Sequence, residues 1–467
     1  MAEWLRACHK PARAGLLVGE GKWVGQRTGS KLPPTPHPLA RCLGVLGILF
    51  LTLSATTPAS SVFIIVPGML QSAGTGTLWA FLLAALVCLA TAYVYAELSS
   101  AFPVAGGEYV AVARTLGPMP GFIVLGINVF NNIIFPPVVG LGVSAVLGTV
   151  IPGLPQIPTA ICVVAGSTLC ALLNIRVNAL VTGIFLAVEV VALCVLVVLS
   201  LAEPARSFLP MLMHPVMLDH GALVPTTHSS IGLATTVAIF ALNGYGMAVY
   251  FGEEMHDAHR KIARVILTSF GLSLCLELIP VVAVLIGAPD LKSLFGADDP
   301  FGMFVSARGG GLLSQMVAIG VVIAIVNAAI VTVLASARFF WCTGRDNVWG
   351  YRFDAFIGAI HPKWQSPWIA TLIIGLIVTY AAISLGALAG RRNGNTGHAI
   401  YKMPLFPLAP IFTLLALAYV VYANWQDVDE GRPGMIATAA QIVLAAAYYW
   451  IVLRRRGAWI VRDPAAT

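Results

Sequence analysis

Two short stretches interrupt otherwise apolar sequence: Thr56-Thr57-Pro58-Ala59-Ser60-Ser61 and Asn243-Gly244-Tyr245-Gly246. Pro58 removes a backbone donor and disfavours helix at Thr57. Two glycines so close weaken a helix at the second stretch. Breaks of this kind bare main-chain N–H and C=O groups, which suits holding a small polar solute. Interrupted hydrophobic segments at matching places in two halves mark a transporter's binding site. The plainer alternative is a kink packed by neighbouring helices. Glu189 and Glu277 lie deepest in apolar sequence, and an intramembrane carboxylate is costly enough to point to function. Glu189 is a candidate for proton exchange during transport, or else a carboxyl bonded to a neighbouring helix. Glu277 reads as structural.

Other chemistry is poorly supported. Met211, Met213, His214, Met217 and His220 could gather soft ligands for copper, but no second cluster joins them. The cysteines form no C-x-x-C pair and read as small buried hydrophobes. No G-x-x-x-x-G-K-[ST] loop is present, so ATP-driven pumping is unsupported. No paired catalytic groups stand out, so the expectation is a non-enzyme with no cofactor and no bound metal.

Lipid must surround the elements that carry these residues. Of 467 residues, 58% are hydrophobic and only 10% charged, against roughly 25% in soluble domains. Mean hydropathy is +0.87. A soluble enzyme and a disordered chain are excluded by that balance. Nucleic acid is not an expected partner, because the net charge of +7 forms no basic folded patch. Apolar segments of spanning length fall near 43–70, 77–98, 121–150, 158–175, 178–202, 230–252, 263–288, 313–341, 367–389, 404–423 and 435–454. Each reads as a helix, since a lipid-exposed backbone must satisfy its own hydrogen bonds.

Charge sets the expected orientation. The basic 1–40 tail reads as disordered and cytoplasmic, the domain as 41–455, and 456–467 as a second basic tail. Loops 99–120, 175–177, 253–264 and 338–365 then lie inside, whereas 151–157, 203–229 and 289–312 lie outside. The outer loops hold only Arg206, Lys292 and Arg308 as basic residues. The alternation fails at 390–403, where Arg391, Arg392 and Lys402 also ask to be inside. Pro367 to Leu388 supplies about 33 Å of helix, one crossing where charge requires an even number. One helix's worth of sequence is missing there.

Three segments resemble the amino acid–polyamine–organocation (APC) superfamily of transporters. They are Ala96-Glu97-Leu98-Ser99-Ser100-Ala101-Phe102-Pro103-Val104-Ala105-Gly106-Gly107-Glu108-Tyr109 with Leu116-Gly117-Pro118, then Asn243-Gly244-Tyr245-Gly246 leading to Gly252-Glu253-Glu254, and Ala337-Arg338-Phe339-Phe340 through Gly344-Arg345-Asp346 to His361-Pro362-Lys363. The resemblance implies an all-α polytopic fold of two inverted five-helix repeats, about 43–202 and 230–390, with discontinuous first and sixth helices and two further helices in 404–454. It also implies twelve spans where eleven are visible. By this resemblance a zwitterion sits on Thr56, Thr57, Ala59, Ser60 and Ser61 of the first break and on Phe240, Ala241, Asn243 and Tyr245 of the second, with Phe240 as a gate. Plain helix packing is the alternative for Phe240 and Tyr245. Glu97, Arg114, Glu253 and Glu254 are cytoplasmic gate candidates, pairing with Arg114, Arg260 or Lys261, though solvated loops often hold such charges.

The expected activity is secondary active transport of an amino acid or related amine across the cell membrane, proton-coupled or by exchange. The expected partners are that solute and the bilayer. The protein is placed in the plasma membrane, multi-pass, with a cytoplasmic N-terminus. Alternatives are a carrier of polyamine- or ethanolamine-type cations, and a non-transporting remnant because of the missing helix.

Overall fold

The computed structural model describes residues 39–349, 391, 399–426, 431–456, 459 and 461. Residues 1–38 of the expected 1–40 tail and the whole of the expected span at 367–389 lie outside the described residues, so the missing helix is not addressed by them.

Helices dominate. α1 (Val45–Thr56) leads through the single turn α2 (Pro58–Ser60) and a π-helical turn at Ser61–Ile65 into α3 (Val66–Ala73). Pro67 cannot donate to the carbonyl of Phe63, and a widened turn just before it absorbs that loss. Then follow α4 (Thr77–Ala101), α5 (Glu108–Leu116), α6 (Pro118–Val150), α7 (Gln156–Ala171), α8 (Ile175–Ala202) and α9 (Phe208–Met213). After a hairpin come α10 (His228–Ala241), a 3-10 segment (Tyr245–Glu254), α11 (Ala258–Gly287), α12 (Leu291–Gly296), α13 (Pro300–Arg345), α14 (Leu408–Gln426) and α15 (Gly431–Tyr448). Five described stretches are long and apolar enough to cross a membrane, among them Ile175–Ala202, Ala258–Gly287 and Pro300–Arg345. Leu46, Leu86, Val191, Val198 and Leu201 point outward from the bundle, as side chains facing lipid do.

Two features fall where the sequence reading placed plain loops. Residues 203–229 contain β1 (Val216–Asp219) and β2 (Ala222–Pro225), paired antiparallel. His220 and Gly221 both take positive φ, 44° and 78°, the mark of a two-residue type I′ turn. This hairpin separates the soft ligands: Met211 is buried, Met213 is exposed on α9, and His220 projects from the turn. Two of the three basic residues expected outside have structural work. Arg206 donates to the Leu285 carbonyl at 2.6 Å and Arg308 to that of Gly287 at 2.7 Å, so two cations close the C-terminal end of α11. Arg308 also pairs with Glu203.

Buried polar side chains fix the core around α1. Asn327 of α13 donates to Ser54 Oγ at 2.8 Å and to the Thr182 carbonyl of α8 at 3.1 Å. Ser273 of α11 donates to Thr56 Oγ1 at 3.1 Å. Interhelical hydrogen bonds of this kind hold bundles together where lipid offers no hydrophobic drive.

Candidate solute site at two helix breaks

The first break is compact. Thr57 adopts the left-handed conformation, φ 42°, and its N–H caps Leu53 at 3.0 Å. Helix resumes at once, because Pro58 is well suited to a first helical position. The unwinding is therefore tighter than a Thr56–Ser61 opening: Thr56 ends α1, whereas Ala59, Ser60 and Ser61 are already helical again. Likewise Phe240 and Ala241 form the last turn of α10, and the second break runs from Leu242 to Gly244. Chain direction changes at Gly244, φ 124°, and a 3-10 segment follows.

These breaks touch. A Cβ on Gly244 would lie 2.5 Å from Thr56 Cγ2 and 2.9 Å from Thr56 Cα. Ser61 Oγ donates to the Ala241 carbonyl at 3.2 Å, tying the restarted first helix to the end of α10. Thr57 Oγ1 reaches the Ala324 carbonyl of α13 at 3.4 Å. Glu189 accepts the Ala59 N–H at 2.8 Å and is fully buried, so a carboxyl occupies the positive end of the restarted helix. Asn243 Oδ1 accepts the N–H of Gly244 at 2.6 Å. Tyr245 is buried edge-on to Tyr95 and Phe270, with ring centroids 6.1 and 5.6 Å away. Thr56, Thr57, Ala59, Ser61, Ala241, Asn243 and Glu189 thus cluster around the breaks. Ser60 is half-buried, whereas Phe240 is 51% exposed.

At one end of the bundle, charges form a buried lattice. Arg338 binds Glu254 through two nitrogens at 2.8 and 3.2 Å. Arg345 meets Glu253 at 2.8 Å, and that carboxylate also accepts the Ala105 N–H at 3.0 Å. Arg391 grips Glu97 at 2.6 and 2.7 Å. The expected partners are elsewhere. Arg114 lies over the Phe102 ring at 5.3 Å. Lys261 pairs with Asp257 one turn away at 2.8 Å and holds that carboxyl below its ordinary range. Glu108, in the short helix between α4 and α6, accepts from Tyr95, Tyr250 and Asn128. Its burial nonetheless pushes the carboxyl above the usual range. Sequence reasoning missed Asn327, Ser273 and the three arginines as partners, since nothing local marks them.

Long apolar helices and two abutting interruptions define a membrane-embedded helical protein. The chain belongs to the amino acid permease family, whose model matches residues 43–454, and so to the APC superfamily. It is 25% identical to an uncharacterized transporter of Mycobacterium tuberculosis, over 85% of this chain and 83% of that protein. It is similar to the branched-chain amino acid permease BcaP of Lactococcus lactis, 25% identical over 80% of this chain and 88% of that one. The BcaP of Bacillus subtilis is 22% identical, over 82% and 88%.

Proposed function

We propose that this protein is a secondary active transporter that moves an amino acid across the cell membrane by alternating access, coupled to protons or to exchange. The observation that carries this reading is the contact of the two breaks, with Gly244 against Thr56. Interrupted helices that meet inside a bundle leave main-chain dipoles to grip a carboxylate and an ammonium. In this reading two inverted five-helix repeats, 43–202 and 230–390, rock about that point. Thr56, Thr57, Ala59, Ser60, Ser61, Ala241, Asn243 and Tyr245 line the seat, and Phe240 closes over it. The Glu97, Glu253 and Glu254 pairs form the cytoplasmic gate, and the N-terminus is cytoplasmic in the plasma membrane. Relatives named for branched-chain amino acids make leucine, isoleucine and valine the first solutes to try.

Counterflow of labelled branched-chain amino acids into proteoliposomes tests it: uptake above protein-free vesicles is expected, and none for any amino acid would reject the reading. Ser60→Phe should remove solute binding while the protein still purifies and melts as a monodisperse species; unchanged affinity would take Ser60 out of the seat. Glu189→Gln keeps an oxygen for the Ala59 N–H but no titratable group. Its uptake should lose its dependence on external pH, and a profile matching the wild type would end the proton role of Glu189.

A further inference from the structure

Glu108 is the first residue of α5 and is 6% exposed. Its carboxyl gathers donors from three other elements. Tyr95 of α4 donates to Oε1 at 3.2 Å, and Tyr250 of the 3-10 segment donates to Oε2 at 2.5 Å. Asn128 of α6 donates to Oε2 at 3.3 Å. The Asn128 side is braced: its carbonyl accepts from Asn132 at 2.9 Å, and Asn132 accepts from Ser336 of α13. The two tyrosine rings close over glycine backbone. A Cβ on Gly107 would lie 3.0 Å from Tyr250, and one on Gly246 2.7 Å from Tyr95. A water-sized cavity lies against the carboxyl, between Tyr95, Ser99, Phe102 and Val249. Neighbouring charges are engaged elsewhere: Glu97 with Arg391, Glu253 with Arg345, Glu254 with Arg338, and Arg114 over Phe102. Tyr109 donates to Asp346 at 2.9 Å, Cys342 accepts from Arg345 at 2.7 Å, and α6 carries no ionisable side chain. No ion pair reaches Glu108 among the described residues.

A carboxyl buried without a counter-charge favours its neutral form, and burial pushes Glu108 above the usual range. The neutral acid suits these partners, because a tyrosine hydroxyl accepts a hydrogen bond as well as donating one. In water the same carboxyl ionises near its ordinary value. The packed arrangement therefore binds the proton more tightly than an opened one. By linkage, acid favours the packed state and rising pH favours its opening. We propose that Glu108 is a positioning residue for the segment after the second break: as the neutral acid it latches Tyr250 closed, and it gives its proton to water on that side when the segment parts. Tyr250 is the partner that leaves, since its segment follows the change of chain direction at Gly244. The arginine pairs beside it are held by charge, whereas this latch is held by a proton. Its part in transport rests on the transporter reading, but the latch itself does not.

Deuterium exchange of the 245–254 amides in the purified full-length protein tests the latch, over about pH 5 to 9 to bracket a carboxyl raised by burial. After correction for the intrinsic rise with pH, wild-type exchange should be slow in acid and quicken with alkali. Glu108→Gln is neutral at every pH, so its corrected exchange should stay slow and flat. Tyr250→Phe lacks the latching hydroxyl and should exchange about 5- to 10-fold faster than the wild type in acid, the effect of one lost hydrogen bond. It also keeps the test standing if the glutamine variant fails to fold. A flat wild-type profile, a Glu108→Gln profile as steep as the wild type, or Tyr250→Phe exchange equal to the wild type overturns the proposal. In proteoliposomes, the maximal rate of branched-chain amino acid exchange should depend on pH at the face bearing Glu108. That dependence should vanish in Glu108→Gln with KM unchanged, and its persistence there would overturn the part of the latch in transport. Exchange protection that follows pH without transport of any amino acid leaves the latch standing and removes the transporter reading.

Discussion

Arg338→Ala should lower the stability of the protein by about 3–5 kcal/mol, the cost of leaving a buried charge without its partner. Arg338 is fully buried and gives all its polar contacts to protein: two to Glu254 and one to the Leu334 carbonyl at 2.9 Å. It also lies over the Phe251 ring at 5.6 Å. Alanine removes every one of these and strands the Glu254 carboxylate, itself buried. A thermal melt of detergent-solubilised protein reads the effect. The double variant Arg338→Met, Glu254→Leu should recover most of the loss, because an apolar pair replaces an ion pair without an orphan charge. Wild-type melting of Arg338→Ala would mean that water reaches Glu254 and the pair does not seal this end.

The contrast between these arginines and the breaks shows what a sequence can and cannot disclose. Pro58 and Gly244 act on their own backbones, so the interruptions were legible from residue type alone. Even their extent was overread: Pro58 stops a helix but also starts one, and the opening shrinks to Thr57. The hairpin was not legible in the sequence: Val216-Met217-Leu218 and Ala222-Leu223-Val224 are short apolar runs without the alternation that marks a strand. Ion pairing was not legible either. Glu97, Glu253 and Glu254 find guanidinium groups 294, 92 and 84 positions away, whereas nearby Arg114 and Lys261 turn to an aromatic ring and a local aspartate. Sequence proximity favours helix-surface pairs, and a folded bundle overrides it by bringing distant helix ends together. Glu189 was visible as an outlier in apolar sequence, but its bond to Ala59 depends on how α8 crosses the break.

Gly244→Ala should weaken solute binding at least about 10-fold and destabilise the protein, through two separable causes. The first is backbone strain. At φ 124° and ψ −20° no residue with a Cβ sits comfortably, and holding one in such a sparsely populated region costs about 1–3 kcal/mol. The second is overpacking. The new methyl would stand 2.5 Å from Thr56 Cγ2, and inserting carbon into a filled space costs about another 1–3 kcal/mol. Thr56 can retreat little, because its hydroxyl donates to Leu53 at 2.7 Å and accepts from Ser273. The breaks must therefore part, and the seat that needs both loses its shape. Thr56→Ser separates the causes: it deletes Cγ2 and keeps the hydroxyl, but leaves the 2.9 Å clash with Cα and the strained φ. The Thr56→Ser, Gly244→Ala double variant should recover part of the melting temperature and little of the binding, because the proposed seat is made by the contact itself. Full recovery of both would trace the damage to one methyl and detach solute recognition from the juxtaposed breaks. Wild-type affinity in Gly244→Ala alone would do so more directly.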